Sequence, residues 1–251
     1  MQAYEGFASI YDIFMGDIDY DGWVEYIKKI WEKDGKNPSL VAELGCGTGN
    51  ITSRLAKKGY DMIGIDISEE MLSVAREKAF EEGDDILYLL QDMTEFELYG
   101  TVDSIISICD SMNYITEDED MLQVFKLVNN YLDPKGLFIF DLNTEHKFKN
   151  MLAYNTFAET TEDAAYIWEN SYDEEEKINE YYVNFFINDE ETGLYERVEE
   201  CHYERAYSLD EIKGFIKMSG MEFVAAYDAF TFDDVREDSE RIYVIARECG
   251  K

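Results

Sequence analysis

The stretch Val41-Ala42-Glu43-Leu44-Gly45-Cys46-Gly47-Thr48-Gly49-Asn50 constrains this chain more than any other. An apolar, strand-like run ends beside an acidic residue, three glycines follow at alternate positions, and a helix-compatible segment from Ile51 to Lys58 begins at once. A strand, a tight glycine turn and a helix are the opening of a nucleotide-binding βαβ unit. Glycine suits such a turn because the backbone bends sharply, in part through φ > 0, and approaches a ligand that a Cβ would obstruct. Glycine turns also serve merely to pack a helix on a strand, so the neighbouring residues decide between the two.

Strand and helix alternate from Ser39 onward. The pattern predicts strands over 39–44, 61–66, 86–91, 102–108 and 136–142, with helices over 50–58, 68–82 and 118–131. Ser68 is a good N-cap, with Glu69 and Glu70 in the first turn where the helix dipole favours negative charge. Asp133-Pro134-Lys135-Gly136 is a turn into the fifth strand. After Ser208 the alternation resumes with a helix over 209–218, a strand over 222–227, an acidic loop containing Asp233, Asp234, Glu237 and Asp238, and a last strand over 241–247. Such alternation implies a mostly parallel, seven-stranded sheet covered on both faces. Upstream, apolar residues at 23, 24, 27, 30 and 31 give helical spacing, so a helix begins at Asp21 or Gly22.

Residues 156–207 break the pattern. They hold aromatic, strand-prone runs separated by acidic or glycine turns at 173–177 and 189–193, and no helix of useful length fits between them. Consecutive strands with short turns are antiparallel, so a three- or four-stranded sheet is inserted here. Residues 1–145 and 208–251 then form one domain, and 146–207 form the insertion.

Three acids stand at the carboxyl ends of successive strands: Glu43 after the first, Asp66 after the second and Asp92 just past the third. In a parallel sheet the ligand crevice lies at those ends, so all three should face one ligand. With Glu-Leu-Gly-Cys-Gly-Thr-Gly at 43–49, Gly-Ile-Asp-Ile-Ser-Glu-Glu-Met-Leu at 64–72, Gln-Asp-Met at 91–93 and Leu-Asp-Pro-Lys-Gly-Leu at 132–137, residues 39–145 resemble the class I S-adenosylmethionine-dependent methyltransferases. The opening Tyr-x-x-Phe-Ala-x-x-Tyr-Asp at 4–12 and the inserted sheet look similar to a bacterial small-molecule branch of that family, in the style of glycine and sarcosine N-methyltransferases. The resemblance implies an α/β, Rossmann-like methyltransferase fold, S-adenosylmethionine as cofactor, and methyl transfer to a small-molecule acceptor; the aromatic inserted antiparallel sheet suits a lid over the cleft or a dimer interface, and its place after the fifth strand, whose carboxyl end borders the crevice, favours the lid.

It also implies roles. Glu43 acts near the amino-acid end of the cofactor, directly or by ordering the turn Gly45, Cys46, Gly47, Thr48 and Gly49. Asp66 accepts from both ribose hydroxyls, with Ile67 and Met71 against the adenine. Asp92 accepts from the adenine amino group, the Met93 amide donates to the ring, and Gln91 lies alongside. Cys109 and Asp110 lie beside the methionine tail, and Tyr11 reaches its carboxylate. A sulfonium ligand without a pyrophosphate tolerates an acid entering the glycine turn. A nicotinamide-dependent dehydrogenase fits less well, because Asn50 stands where the third glycine of G-x-G-x-x-G belongs and Glu43 adds charge near a pyrophosphate. A non-catalytic module that only holds the cofactor is the third reading.

On the acceptor side, His146 and His202 are the candidate bases, and Tyr20, Trp23, Asn113, Tyr114, Asn143 and Arg205 are expected to face the substrate. Cys-Asp-Ser-Met-Asn-Tyr at 109–114 lacks the Asn/Asp-Pro-Pro-Tyr box of enzymes that methylate adenine or cytosine amino groups. A net charge of −34, from 56 acidic against 22 basic residues, with no Lys/Arg cluster, likewise argues against DNA or RNA. The acidity reads as solubility and self-repulsion; a small cationic or amphipathic acceptor suits it better than an anionic one. Two histidines and four cysteines without a C-x-x-C pair suggest no metal centre and reduced thiols. The chain lacks a signal-peptide pattern and an apolar run near the roughly 20 residues of a membrane helix, so a cytoplasmic protein with no membrane partner is expected, as monomer or homodimer.

Overall fold

The computed structural model describes residues 8–16, 18–189 and 192–251. Tyr4 and Phe7 of the opening motif, and Glu190 and Glu191 of the 189–193 turn, lie outside the described residues. In chain order come α1 (Ala8–Phe14), α2 (Tyr20–Lys33), β1 (Leu40–Leu44), α3 (Asn50–Lys57), β2 (Asp61–Asp66), α4 (Glu69–Glu82), β3 (Leu87–Leu90), β4 (Val102–Ser107), α5 (Asp118–Tyr131) and β5 (Leu132–Asn143). Then follow β6 (Thr156–Thr160), β7 (Ala164–Asp173), β8 (Ile178–Asp189), β9 (Leu194–Arg205), α6 (Leu209–Met218), β10 (Glu222–Asp228) and β11 (Arg241–Arg247).

One sheet has the order β3-β2-β1-β4-β5-β11-β10. β1 to β5 are parallel, and β11 runs antiparallel to both β5 and β10. The order reverses between β1 and β4, which opens a crevice at their carboxyl ends. Both faces are covered because alternate residues serve opposite cores: Phe138 and Phe140 pack with α5 and α6, while Leu137 and Ile139 pack with α2 and α3. No helix among the described residues is long and apolar enough to cross a membrane.

The inserted sheet is a meander, β6-β7-β8-β9, antiparallel throughout. Its aromatic inner face, including Tyr172, Tyr181 and Phe185, packs with Phe148 and Leu152, with Phe14 of α1 and with Met71 and Val74 of α4. The edge-on contact of Phe14 and Tyr166, with centroids 4.9 Å apart, seats the sheet on α1.

Three local features differ from the sequence expectation. α2 starts at Tyr20 because Asp19, rather than Asp21, caps it, accepting from the Gly22 amide at 2.9 Å. β5 starts at Leu132: Leu132 pairs with Val102, and Leu137 resumes with Ser104, so the expected turn is a bulge within the strand, with Lys135 at φ 66°. α1, the 3-10 turn Ser111–Tyr114 and the π-helical turn Lys147–Leu152 were not predicted, being too short for a hydrophobic period to register.

Candidate active site

The glycine turn is fixed from three sides. The Gly45 and Cys46 amides donate to the Ile65 carbonyl at 2.8 and 3.0 Å, which ties the turn to the end of β2. Gly45 and Gly49 hold φ of 70° and 77°, and an added Cβ would stand 2.6 Å from Ser111 Oγ and 2.4 Å from Tyr88 Oη respectively. From the third side α1 contributes Asp12, whose Oδ1 accepts from Thr48 Oγ1 and Asn50 Nδ2, both at 2.7 Å, while its Oδ2 pairs with Lys78 of α4 at 2.8 Å. Burial opposes ionisation of Asp12, yet the bonds from Lys78, Thr48 and Asn50 hold its carboxyl below the usual range. Gly47, by contrast, lines the cavity and has nothing within 4 Å of where a Cβ would sit. Gly49→Ala should therefore cost about 2 kcal/mol in chemical denaturation, from left-handed strain plus overlap, and Tyr88→Phe in the same chain should restore part of the loss.

The turn borders a cavity of about 390 Å³. Asp66 contributes both carboxylate oxygens to the local backbone, Oδ2 accepting from the Gly47 amide at 2.7 Å and Oδ1 from Ser68 at 2.9 Å. The Ile67 amide also acts on this carboxylate. Burial raises the Asp66 pKa above the usual value, against the amides that favour its charge. Asp92 Oδ1 accepts from the Thr94 amide at 2.7 Å and the Thr94 hydroxyl at 2.8 Å. Gln91 braces the same loop through the Glu97 backbone, its Oε1 accepting from that amide at 2.8 Å.

Glu43 is the deepest of the three acids. Its carboxyl accepts from the Thr52 hydroxyl, and burial, with the Asp66 charge adding to it, pushes its pKa up to about 8. The folded chain thus binds this proton more tightly than the unfolded chain, whose carboxyl titrates near 4.5. The stability that results is complete below about pH 4.5 and is lost as pH rises through about 8, with a span on the order of 5 kcal/mol. Glu43→Gln should not show this loss, so the difference between the ligand-free melting temperatures of wild type and Glu43→Gln should widen from pH 5 to pH 8.5. Parallel curves over that range would refute the shift.

Of the residues expected at the cofactor, Tyr11, Glu43, Gly45, Cys46, Gly47, Thr48, Asp66, Ile67, Met71, Gln91, Asp92, Met93 and Cys109 all line this cavity. Gly49 and Asp110 do not line it; Gly49 caps α3 behind the turn, and Asp110 turns toward β5 and β11. Of the residues expected to face the acceptor, Tyr20 and Tyr114 line the cavity. Trp23 instead stacks near Phe230 and Arg241. Asn113 is fully buried, its amide nitrogen donating to the Asn143 and Arg205 carbonyls at 3.1 and 2.8 Å. Asn143 accepts from Lys147 Nζ at 2.8 Å, and Arg205 clamps the Thr116 carbonyl and Asp118. Neither histidine lines the cavity: His146 lies beside Asn150 at the start of the π-helical turn, and His202 is buried in β9.

A charged network closes the crevice behind Cys109. Arg241 Nη2 pairs with Asp110 at 2.6 Å and its Nη1 with Asp141, while the Asp110 amide donates to the Asp141 carboxylate at 3.2 Å. Against burial, the Arg241 and Lys147 charges hold Asp110 below the usual carboxylate range. Glu204 of β9, beside Asp110 and Tyr181, is pushed well above it by burial and by the Asp110 charge.

Sequence reasoning gave no role to Asp12, although it closes the opening motif at 4–12, and missed the cavity residues Asn50, Ile51, Thr94, Ile108, Ser111, Ile115, Thr116 and Asp120. Ser111, Ile115 and Thr116 belong to the irregular stretch after β4, where no periodicity marks a face.

The chain matches a family described as "Methyltransferase domain" over residues 41–136. It is 35% identical over 246 residues, 98% of this chain and 97% of the other, to a Bacillus subtilis protein carrying the name "Putative methyltransferase YqeM". The structure is similar to that of an S-adenosylmethionine-dependent methyltransferase from Clostridium acetobutylicum, with a TM-score of 0.87, 32% identity, and 98% and 99% of the two chains covered. It also shares the fold of CalS10 from Micromonospora echinaspora, an amino pentose methyltransferase with S-adenosylmethionine bound, at a TM-score of 0.74 and 13% identity over 99% of each chain. The dehydrogenase reading finds no support among these relatives.

Proposed function

Because this chain belongs to the class I S-adenosylmethionine-dependent methyltransferases, we propose that it methylates a nitrogen or oxygen of a small-molecule acceptor. The observation that carries the reading is the convergence of Glu43, Asp66 and Asp92 on one cavity, from the carboxyl ends of three successive strands. The residues present fit the cofactor. Gly47 leaves the backbone open to close approach, Asp66 presents its carboxylate to the cavity as an acceptor for a ribose diol, half-exposed Ile67 offers an apolar face for adenine, and Asp92 Oδ2 remains for an amino group. Glu43 is poised to ionise when a cation enters. When bound, S-adenosylmethionine supplies a methyl group on a cationic sulfur, transferred by in-line displacement that owes much of its speed to orientation.

The chain's own residues then have three tasks. Asp12, Asp66 and Ser111 keep the glycine turn in place. Tyr11 and Cys109 border the reacting end of the cavity, with Tyr20 and Tyr114 on its acceptor side. The insertion, 146–207, acts as a lid and substrate subdomain on the cofactor domain formed by 1–145 and 208–251; its packing on α1, which holds the turn through Asp12, supports that role. The acidic surface supports a small molecule over nucleic acid as acceptor, and the four unpaired cysteines support a reducing, cytoplasmic setting.

Calorimetric titration with S-adenosylmethionine, with NADH in parallel, tests the cofactor site: saturable binding of the first and none of the second is expected. A tritiated-methyl screen over pooled amines, carboxylates and hydroxylated metabolites tests turnover. Binding without transfer to any pool would favour a module that only holds the cofactor, and preferred transfer to a polyanionic acceptor would overturn the acceptor class.

A further inference from the structure

The cavity is lined by four acids, Glu43, Asp66, Asp92 and Asp120, and by no lysine, arginine or histidine among the described residues. Residues 1–7, 17, 190 and 191, outside that set, contain none of the three either. Cations on the adjoining elements are engaged outside the cavity wall. Lys78 is held by Asp12 and by Asn50 Oδ1 at 2.8 and 3.1 Å, Arg54 by the Asn50 carbonyl at 2.8 Å, and Arg241 by Asp110 and Asp141.

Neutral donors around the glycine turn are spent as well. Thr48 Oγ1 and Asn50 Nδ2 both donate to Asp12 Oδ1 at 2.7 Å, and Asn50 Nδ2 donates again to Thr48 Oγ1 at 3.0 Å. Ser111 Oγ donates to the Ile108 carbonyl at 3.0 Å. A hydroxyl has one proton to give and a side-chain amide two, so these groups keep none for an anion. Four of the turn's five backbone amides also stay within the protein: those of Gly45 and Cys46 go to the Ile65 carbonyl, that of Gly47 to Asp66, and that of Gly49 to the Cys46 carbonyl at 2.9 Å.

The amino-acid end of S-adenosylmethionine carries one ammonium and one carboxylate, and the wall serves them unequally. For the ammonium there is Glu43, which lines the cavity at 2% exposure and whose hydrogen-bond partner among the described residues is Thr52. For the carboxylate there are the phenols of Tyr11 and Tyr20, which are neighbours in the same wall. A bond between charged groups is about twice as strong as one between neutral groups, and a ligand carboxylate alone would add a fifth acid to a wall without a counter-charge. We infer that the site recognises the amino-acid end of its cofactor by the ammonium, with Glu43 as the specificity-determining residue, and therefore also takes nucleosides whose thioether chain ends in an amine without a carboxylate. The inference rests on the methyltransferase reading of the cavity.

Four thioether nucleosides separate the two charges in calorimetric titration. S-adenosylhomocysteine carries both, its aminopropyl analogue the ammonium alone, its carboxypropyl analogue the carboxylate alone, and methylthioadenosine neither. The aminopropyl nucleoside should bind within about five-fold of S-adenosylhomocysteine, and the carboxypropyl one no tighter than methylthioadenosine. Glu43→Gln should weaken the two ammonium ligands by about ten-fold or more. It should leave methylthioadenosine within about three-fold of wild type, which also shows that the variant's site is folded. An aminopropyl nucleoside that falls outside the five-fold range, a carboxypropyl nucleoside that binds tighter than methylthioadenosine, or a Glu43→Gln effect equal across all four ligands overturns this inference alone. Failure of both S-adenosylhomocysteine and methylthioadenosine to bind the wild type overturns the cofactor reading beneath it.

Discussion

Asp66→Ala should weaken S-adenosylmethionine binding by about 100-fold or more. Two effects add. The carboxylate is the acceptor for a ribose diol, and hydrogen bonds to a charged acceptor contribute about 1.5–3 kcal/mol each. The same oxygens hold the Gly47 and Ser68 amides at 2.7 and 2.9 Å, so alanine also frees the turn that approaches the ligand. The sum exceeds the ~2.7 kcal/mol that corresponds to 100-fold. Asp66→Asn separates the two effects, because its carbonyl oxygen can keep one backbone amide while its NH2 faces the other donor; it should fall between alanine and wild type. Calorimetry gives the affinity, and the ligand-free melting temperature shows how much of the change is structural. An alanine variant that binds within three-fold of wild type would remove Asp66 from the cofactor site.

The cofactor half of the site was legible because it lies on regular elements. Glu43, Asp66 and Asp92 follow strands whose alternation with helices is strong, and a parallel sheet brings such ends to one edge whatever the loops do. The inserted sheet was legible for a similar reason, since aromatic runs between acidic turns can hardly form anything but antiparallel strands. The acceptor half was not. Asn113 and Arg205 are residues that often face a substrate, but here their polar groups are spent on backbone carbonyls across three elements. Asp110 sits one residue past Cys109, and a pair of left-handed residues turns it away from the cavity, a reversal that no propensity predicts for non-glycine residues. Asp12 joins a seven-residue helix to the glycine turn across a long stretch of chain, a contact set by tertiary packing alone.

Arg241→Met should be the most destabilising single change at the site, by about 3–5 kcal/mol. Arg241 is the only described residue paired with both Asp110 and Asp141, and its guanidinium lies over the Trp23 ring, 5.2 Å from the centroid. Methionine fills similar space but leaves two neighbouring carboxylates desolvated and without their paired cation, the Lys147 charge alone remaining nearby. For a chain of this length the loss corresponds to a fall in melting temperature of about 6–20 °C. Its pH dependence follows from Asp110, whose carboxyl Arg241 holds below the usual range. A group with a depressed folded-state pKa contributes stability above its unfolded pKa and loses it as pH falls through the folded value. Wild type should therefore lose this contribution in acid and the variant should not, so the gap between them narrows below about pH 4. Asp110→Asn and Asp141→Asn combined with Arg241→Met should recover more than half of the loss, because removing all the charges is far cheaper than removing one. If Arg241→Met melts within about 2 °C of wild type at neutral pH, water reaches the network and the carboxylates are not buried as described. If the triple variant melts no higher than Arg241→Met, the guanidinium acts by packing on Trp23 rather than by charge.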